Sequence, residues 1–156
     1  MKKIDIYTDG CCLGNPGKGG WAAILIYGEI IKEIGGYALD TTNNQMELTA
    51  AISALKALKE PCAVRLFSDS QYLCNAVNKN WITGWRLRGW KTSNNKPIKN
   101  LELWLALVEL LTIHQVQFIW IKGHAGCTNN ERCDELANAW AKLAIAEKPI
   151  PLLPSV

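Results

Sequence analysis

Hydrophobic and polar positions alternate with a period of two at the start of the chain. Ile4, Ile6 and Thr8 fall on one face and Asp5, Tyr7 and Asp9 on the other, which predicts a strand over residues 3–12. The run Gly14-Asn15-Pro16-Gly17-Lys18-Gly19-Gly20 reads as a loop. Residues 21–27 and 30–39 are rich in apolar, aromatic and β-branched side chains. Gly28-Glu29 separates them, so they read as a β-hairpin. From residue 43 the period changes. Leu48, Ile52, Leu55 and Leu58 recur at helical spacing and predict a helix over 43–59. Thr42-x-x-Gln45 fits a capping box at its start.

Pro61 separates this helix from the apolar run 63–68, a buried strand ending at Asp69. A short helical stretch follows, then a segment bearing Trp81, Trp85 and Trp90. Leu101, Trp104, Val108 and Leu111 form another helical stripe. Val116, Phe118 and Trp120 alternate with Gln117, Ile119 and Ile121 as a fifth strand. Gly123-His124-Ala125-Gly126 reads as a flexible loop. Cys133, Leu136, Ala137, Trp140, Leu143 and Ala144 mark a last helix, and Pro149, Pro151 and Pro154 an irregular tail over 148–156. The order is β-β-β-α-β-α-α-α-β-α. Three leading strands predict an antiparallel meander, and the later alternation predicts parallel crossovers. The expected architecture is α/β, a mixed sheet with helices on its faces.

Composition narrows the class. A length of 156 residues suits one domain, and 49% hydrophobic with 20% charged residues excludes a wholly disordered chain. No apolar run approaches the roughly 20 residues of a membrane span, and Met1-Lys2-Lys3-Ile4-Asp5 does not read as an export signal. A cytoplasmic location and no membrane partner are expected. The six cysteines form no C-x-x-C pair, and free thiols are expected. The net charge of +3 hides an asymmetry. Residues 70–101 hold Lys79, Arg86, Arg88, Lys91, Lys96 and Lys99 and no acid, so the remainder is net acidic. An acidic body carries a basic, Trp-bearing piece.

Four acids invite chemistry. Asp9 and Asp69 close predicted strands, and if those strands are neighbours both carboxylates emerge at one sheet edge, where ligands bind in open α/β sheets. Glu47 lies in the first turns of a helix and Asp134 near the start of the last one. Each also admits a local reading. Asp9-Gly10 can be a turn, and Glu47 can complement the helix dipole or close an Asn44-x-x-Glu47 cap. Asp69 can cap the helix starting near Ser70, and Asp134 can be a surface acid beside Glu131 and Glu135. His114 reads as structural. Periodicity and composition leave these alternatives open.

Ordered motifs add to this reading. Tyr7-Thr8-Asp9-Gly10, Gly14-Asn15-Pro16-Gly17, Thr42-Asn43-Asn44-Gln45-Met46-Glu47-Leu48 and Ser68-Asp69-Ser70-Gln71-Tyr72 come in that order. Lys122-Gly123-His124-Ala125-Gly126 and Asn130-Glu131-Arg132-Cys133-Asp134-Glu135-Leu136-Ala137 follow. The set resembles the type 1 ribonuclease H family from residue 4 to about residue 145. The resemblance implies a ribonuclease H-like fold, a five-stranded mixed sheet whose first three strands run antiparallel. It implies one domain over 1–147, with a basic helical protrusion at about 79–100. It also implies an endonuclease that hydrolyses the RNA strand of RNA–DNA hybrids as a monomer, leaving 3′-hydroxyl and 5′-phosphate ends.

By the same resemblance, Asp9, Glu47, Asp69 and Asp134 would bind two Mg²⁺ ions, with Mn²⁺ a possible substitute. A hard cation that accepts carboxylate and phosphate oxygens suits that donor set. His124, with Glu131 nearby, would assist proton transfer or product departure. Gly10, Cys12, Asn15, Asn43, Gln71 and Glu47 would line the RNA minor-groove edge. Thr42, Asn43 and Asn100 would hold a DNA phosphate, and Tyr72, Trp81 and Trp85 would follow the deoxyriboses. Arg86 and Arg88 would add basic contacts. Three departures predict a weaker grip: Asp40 and Gln45 stand where the family often has basic residues, and Leu87 interrupts the basic run. The Tyr72-to-Trp81 spacing also looks one residue longer than in some relatives. A non-catalytic hybrid-binding module would have lost one of the acids, and all four are present.

Overall fold

The computed structural model describes residues 1–123 and 126–146. Elements follow the predicted order: β1 (Lys2–Leu13), β2 (Gly17–Tyr27), β3 (Ile30–Thr41), α1 (Asn43–Lys56), β4 (Cys62–Ser68), α2 (Gln71–Asn78), α3 (Trp81–Leu87), α4 (Leu101–Ile113), β5 (Gln115–Trp120) and α5 (Thr128–Ala146). The sheet order is β3-β2-β1-β4-β5. β1, β2 and β3 pair antiparallel, and β4 runs parallel to both β1 and β5. β1 and β4 are therefore neighbours at the centre.

Helices cover the sheet unequally. α1 lies against β1 and β2 with α4 beside it, and α5 crosses the opposite face over β1, β2 and β3. The core lies on the α1 side, where Ile6, Leu48, Leu55, Leu66, Leu73, Trp104 and Leu107 are fully enclosed. The run read as a buried strand is buried on one face. Val64, Leu66 and Ser68 are enclosed, while Arg65 is exposed and Ala63 and Phe67 are half-buried. The physical reason is that α5 stops short of β4 and β5. Arg65 instead forms a bidentate pair with Asp5 across the open face, and Tyr7 stacks on Phe67 with centroids 4.6 Å apart.

Two local readings change. Gly17 to Gly20 belong to β2 rather than to the preceding loop, and close packing there explains two of the glycines: a Cβ on Gly20 would strike α5 at Ala137 O and Ala141 N, and one on Gly19 would strike Thr41 and Cys11 O. The capping box on α1 is only half formed. Thr42 Oγ1 accepts from Gln45 N–H at 3.2 Å, but the Gln45 side chain turns away instead of returning to the cap. His114 is buried, with Nδ1 accepting from Cys62 N–H at 3.1 Å, which agrees with a structural role.

Candidate active site

Parallel register brings Asp9 and Asp69 together. Tyr7 pairs with Phe67 in the β1–β4 ladder; Asp9 stands two residues further along β1, and Asp69 two residues beyond Phe67, just past the end of β4. α1 adds Glu47 from the other side of the sheet edge. Gly10 permits this approach, since a Cβ there would lie 2.5 Å from Met46 C and 2.6 Å from Glu47 N. Its N–H is shared between Asp9 Oδ1 and Glu47 Oε1, each at 2.9 Å. Ser68, fully enclosed, donates to Glu47 Oε2 at 3.4 Å and accepts from Ser70 N–H at 3.0 Å. Oxygens of Asp9, Glu47 and Asp69 all lie within 4.8 Å of one another.

The local readings of Asp9, Glu47 and Asp69 fail one by one. Asp9 sits inside β1 and is 4% exposed, not in a turn. Glu47 is 6% exposed, which removes it from the role of a solvated dipole charge. Ser70, not Asp69, caps α2: its Oγ accepts from Leu73 N–H at 3.1 Å. Asp134 is half-buried on α5, where Oδ1 accepts from Asn138 Nδ2 at 3.2 Å. It stands outside the close trio, yet its charge reaches Asp9. Glu131 is exposed in the first turn of α5. His124 lies outside the described residues.

Clustering leaves an electrostatic signature. Burial pushes the Asp9 carboxyl up to about 7, with the charges of Asp69 and Asp134 adding to the effect. Burial likewise lifts Glu47 well above the usual carboxylate range, with Asp9 and Asp69 as further causes. The hydrogen bond between them lowers Asp9 and raises Glu47. The buried Cys74 thiol also rises, to about 11, chiefly through burial and then through Glu47 and Asp69. Burial raises Cys11, Cys12, Cys62 and Cys133 too, and all six cysteines are free. Raised thiols are poor nucleophiles at neutral pH.

The residues assigned to nucleic-acid contact take the following places in the fold. Gly10 and Cys12 are half-buried on β1, and Cys12 Sγ contacts Thr41 O at 3.3 Å. Asn15 Oδ1 accepts from Asn43 N–H at 3.1 Å, tying the β1–β2 turn to the start of α1. Gln71 is exposed at the first position of α2. Trp81 is 38% exposed, while Trp85, one helical turn on, packs edge-to-face on Trp104 with centroids 5.3 Å apart. Arg86 and Arg88 are exposed, and Arg88 Nε donates to Lys91 O at 3.1 Å. Residue-level reading did not find Ser68 or the Asn100–Tyr72 contact. The period of two in the run 63–68 is the available signal for Ser68, because it sets that hydroxyl on the same face as Leu66, under α1.

Comparison with known proteins agrees with this geometry. The RNase H family profile matches residues 1–142. Ribonuclease H of Chlorobaculum parvum is 56% identical over 147 residues, covering 94% of this chain and 98% of that protein. Ribonuclease H of Agrobacterium fabrum is 59% identical over 137 residues, covering 88% and 93%. Among solved structures, LC9-RNase H1, a type 1 RNase H with the type 2 active-site motif, superposes with a TM-score of 0.84 at 30% identity, covering 92% of this chain and 74% of that one. LC11-RNase H1, solved in complex with an RNA/DNA hybrid, shares the fold at a TM-score of 0.69 and 24% identity, covering 91% and 99%. A profile matching nearly the whole chain, relatives above half identity and the converging acids at the β1–β4 edge lead to one assignment: the chain belongs to the ribonuclease H family of nucleases.

Proposed function

We propose that this chain hydrolyses the RNA strand of RNA–DNA hybrids at the Asp9–Glu47–Asp69 cluster, with Asp134 as the fourth acid. The single observation that carries this reading is the convergence of three carboxylates, two of them buried, within 4.8 Å at the end of two parallel strands. Such a cluster fits divalent cations. Its donors are hard oxygens, and its raised carboxyl groups mark a site where negative charge is uncompensated. Asp9, Glu47, Asp69 and Asp134 would hold Mg²⁺, in the proposed reading two ions. When bound, the metal supplies Lewis-acid polarisation of the scissile phosphate and an acidified water.

The chain's own residues supply the rest. Gly10 N–H and Ser68 Oγ hold the Glu47 carboxylate from both sides. Gly10, Cys12, Asn15, Asn43 and Gln71 would present backbone and small polar groups to the RNA minor groove, where the 2′-hydroxyl distinguishes RNA from DNA. Thr42, Asn43 and Asn100 would hold a DNA phosphate. Tyr72, Trp81 and Trp85 would border the deoxyribose track, Trp85 through whatever edge its packing on Trp104 leaves free. Arg86 and Arg88 would grip phosphates without reading bases. His124, with Glu131, would serve proton transfer or product departure. Products would carry 3′-hydroxyl and 5′-phosphate ends.

Substitution of the central acid tests this directly. Asp9→Asn is expected to lower hybrid cleavage by at least 1,000-fold, on the order expected for loss of an electrostatic anchor, while gel-shift binding of the hybrid persists. Near-normal turnover by Asp9→Asn, or products ending in 3′-phosphate, would contradict the proposal. His124→Ala is expected to lower kcat strongly without abolishing cleavage and to alter the pH–rate profile. An unchanged profile would remove His124 from the mechanism.

A further inference from the structure

Asp69 stands one residue past the last pair of the β4–β5 ladder, Ser68 with Trp120. The end of β5 reaches across to hold it. Ile121 N–H donates to Ser68 O at 2.9 Å. Trp120 Nε1–H donates to Asp69 O at 3.1 Å. Those two carbonyls belong to the peptide planes on either side of the Asp69 Cα. The second plane is held again where Ser70 N–H donates to Ser68 Oγ at 3.0 Å. Peptide units are rigid planes, so pinning both leaves φ and ψ of Asp69 little freedom and sets the direction of its Cβ. Gly123, three residues beyond Trp120, leaves room for the carboxylate: a Cβ there would lie 2.9 Å from Asp69 Oδ2.

The Trp120 bond has one possible direction. An indole N–H can only donate, and a backbone carbonyl can only accept. Packing does not account for the side chain, since Trp120 is 45% exposed at the rim of the sheet and is no core anchor. Ile121 donates from the backbone, and Ser68 also holds Glu47. Trp120 is therefore a side chain through which the placement of Asp69 can be probed by itself.

We infer that Trp120 is a positioning residue for metal binding: its indole N–H fixes the Asp69 backbone and so keeps the Asp69 carboxylate in the close trio with Asp9 and Glu47. This inference rests on the metal-binding reading above and adds to it a residue of β5 that acts through Asp69. A carboxylate on a loose backbone must be ordered when a cation binds, so losing the holder weakens metal affinity without removing a ligand. The carboxylate itself is still present, and excess metal recovers the loss.

Substitutions at this one position test it, with metal affinity read in the absence of nucleic acid from the EPR signal of free Mn²⁺. Trp120→Phe keeps a ring and loses the donor. It is expected to raise the Mn²⁺ Kd about tenfold, the scale for loss of a group behind a metal ligand. Trp120→His restores a donor, because imidazole Nε2 takes the place of indole Nε1 in a five-membered ring. It should stay within about threefold of the parent although its ring is smaller than that of phenylalanine. With Mg²⁺ titrated, Trp120→Phe should need about tenfold more metal for half-maximal cleavage and then approach the parent kcat. Hybrid affinity in chelator should not change. Melting curves confirm folding, and Trp120→Leu, also without a donor, takes the place of Trp120→Phe if that variant is not folded at the assay temperature. A donor-less variant with a Mn²⁺ Kd within about twofold of the parent would overturn the inference. So would a histidine variant no better than the phenylalanine one, a kcat that excess Mg²⁺ does not restore, or weakened hybrid binding in chelator. A parent chain that takes up no Mn²⁺ would overturn the metal-binding reading itself, and this inference with it.

Discussion

At the scale of residues, the clustered acids are held in a state that is costly when ionised. The folded value for Asp9, about 7, exceeds the ordinary 3.8, so the folded chain binds more protons than the unfolded chain between those limits. Stability of the metal-free protein therefore falls as pH rises from about 4 to about 7. Asp9→Asn removes one partner of the repelling cluster. It is expected to flatten this pH dependence and raise the metal-free Tm at pH 8 by a few degrees, about 1 kcal/mol or more at this size. Scanning calorimetry across that pH range checks it, and a variant that melts lower than the parent at pH 8 would contradict it. The position of Asp9 and Asp69 at strand ends was legible in the sequence, but their meeting at one edge needed the parallel β1–β4 pairing. Burial of Glu47 was not legible from periodicity, since an acid near a helix start reads equally well as a solvated charge. Ser68 was missed as a site residue for the same reason: its partner Glu47 lies on another element.

At the scale of elements, the site depends on how closely α1 and α2 approach the central strands. Gly10→Ala inserts a methyl group against backbone atoms of Met46 and Glu47, which cannot swing aside as a side chain would. It is expected to displace the start of α1 and lower kcat/KM at least 100-fold, with a loss in Tm typical of an overpacked core. A steady-state assay with parallel melting curves checks this, and wild-type activity in Gly10→Ala would show that α1 tolerates the displacement. Ser70→Ala removes the cap from Leu73 N–H and should cost about 1 kcal/mol, a fall in Tm of about 3 °C. Asp69→Asn should show no such capping loss. Every element was legible in order and type, because strand and helix periods are distinct over these lengths. The exposed face of β4 was not legible, since Phe67 and Ala63 read as core until the reach of α5 is known.

At the scale of the whole molecule, charge is divided between an acidic site and a basic approach to it. Lys79, Arg86, Arg88, Lys91, Lys96 and Lys99 lie in one segment without an acid. Arg86 and Arg88 project from around the end of α3 into solvent. Affinity for a hybrid is expected to fall steeply with salt, and Arg86→Ala together with Arg88→Ala should reduce the slope of log Kd against log salt by about 1 to 2. A slope unchanged by the pair would remove α3 from the interface. No helix among the described residues is long and apolar enough to cross a membrane. The charge asymmetry was readable from composition, whereas the burial of Trp85 against Trp104 was not, because helical spacing assigns Trp81 and Trp85 to one face without saying what that face meets.

The central claim is that the clustered acids at the β1–β4 edge cut the RNA strand of a hybrid with the help of divalent metal. The most direct measurement uses one sequence as RNA–DNA hybrid, double-stranded RNA and double-stranded DNA, each strand end-labelled in turn, with Mg²⁺, with Mn²⁺ and with chelator. Cleavage confined to the RNA strand of the hybrid, present with Mg²⁺ and abolished by chelator, is the predicted result. Cutting of the DNA strand, comparable cutting of either other duplex, or undiminished cutting in chelator would contradict it.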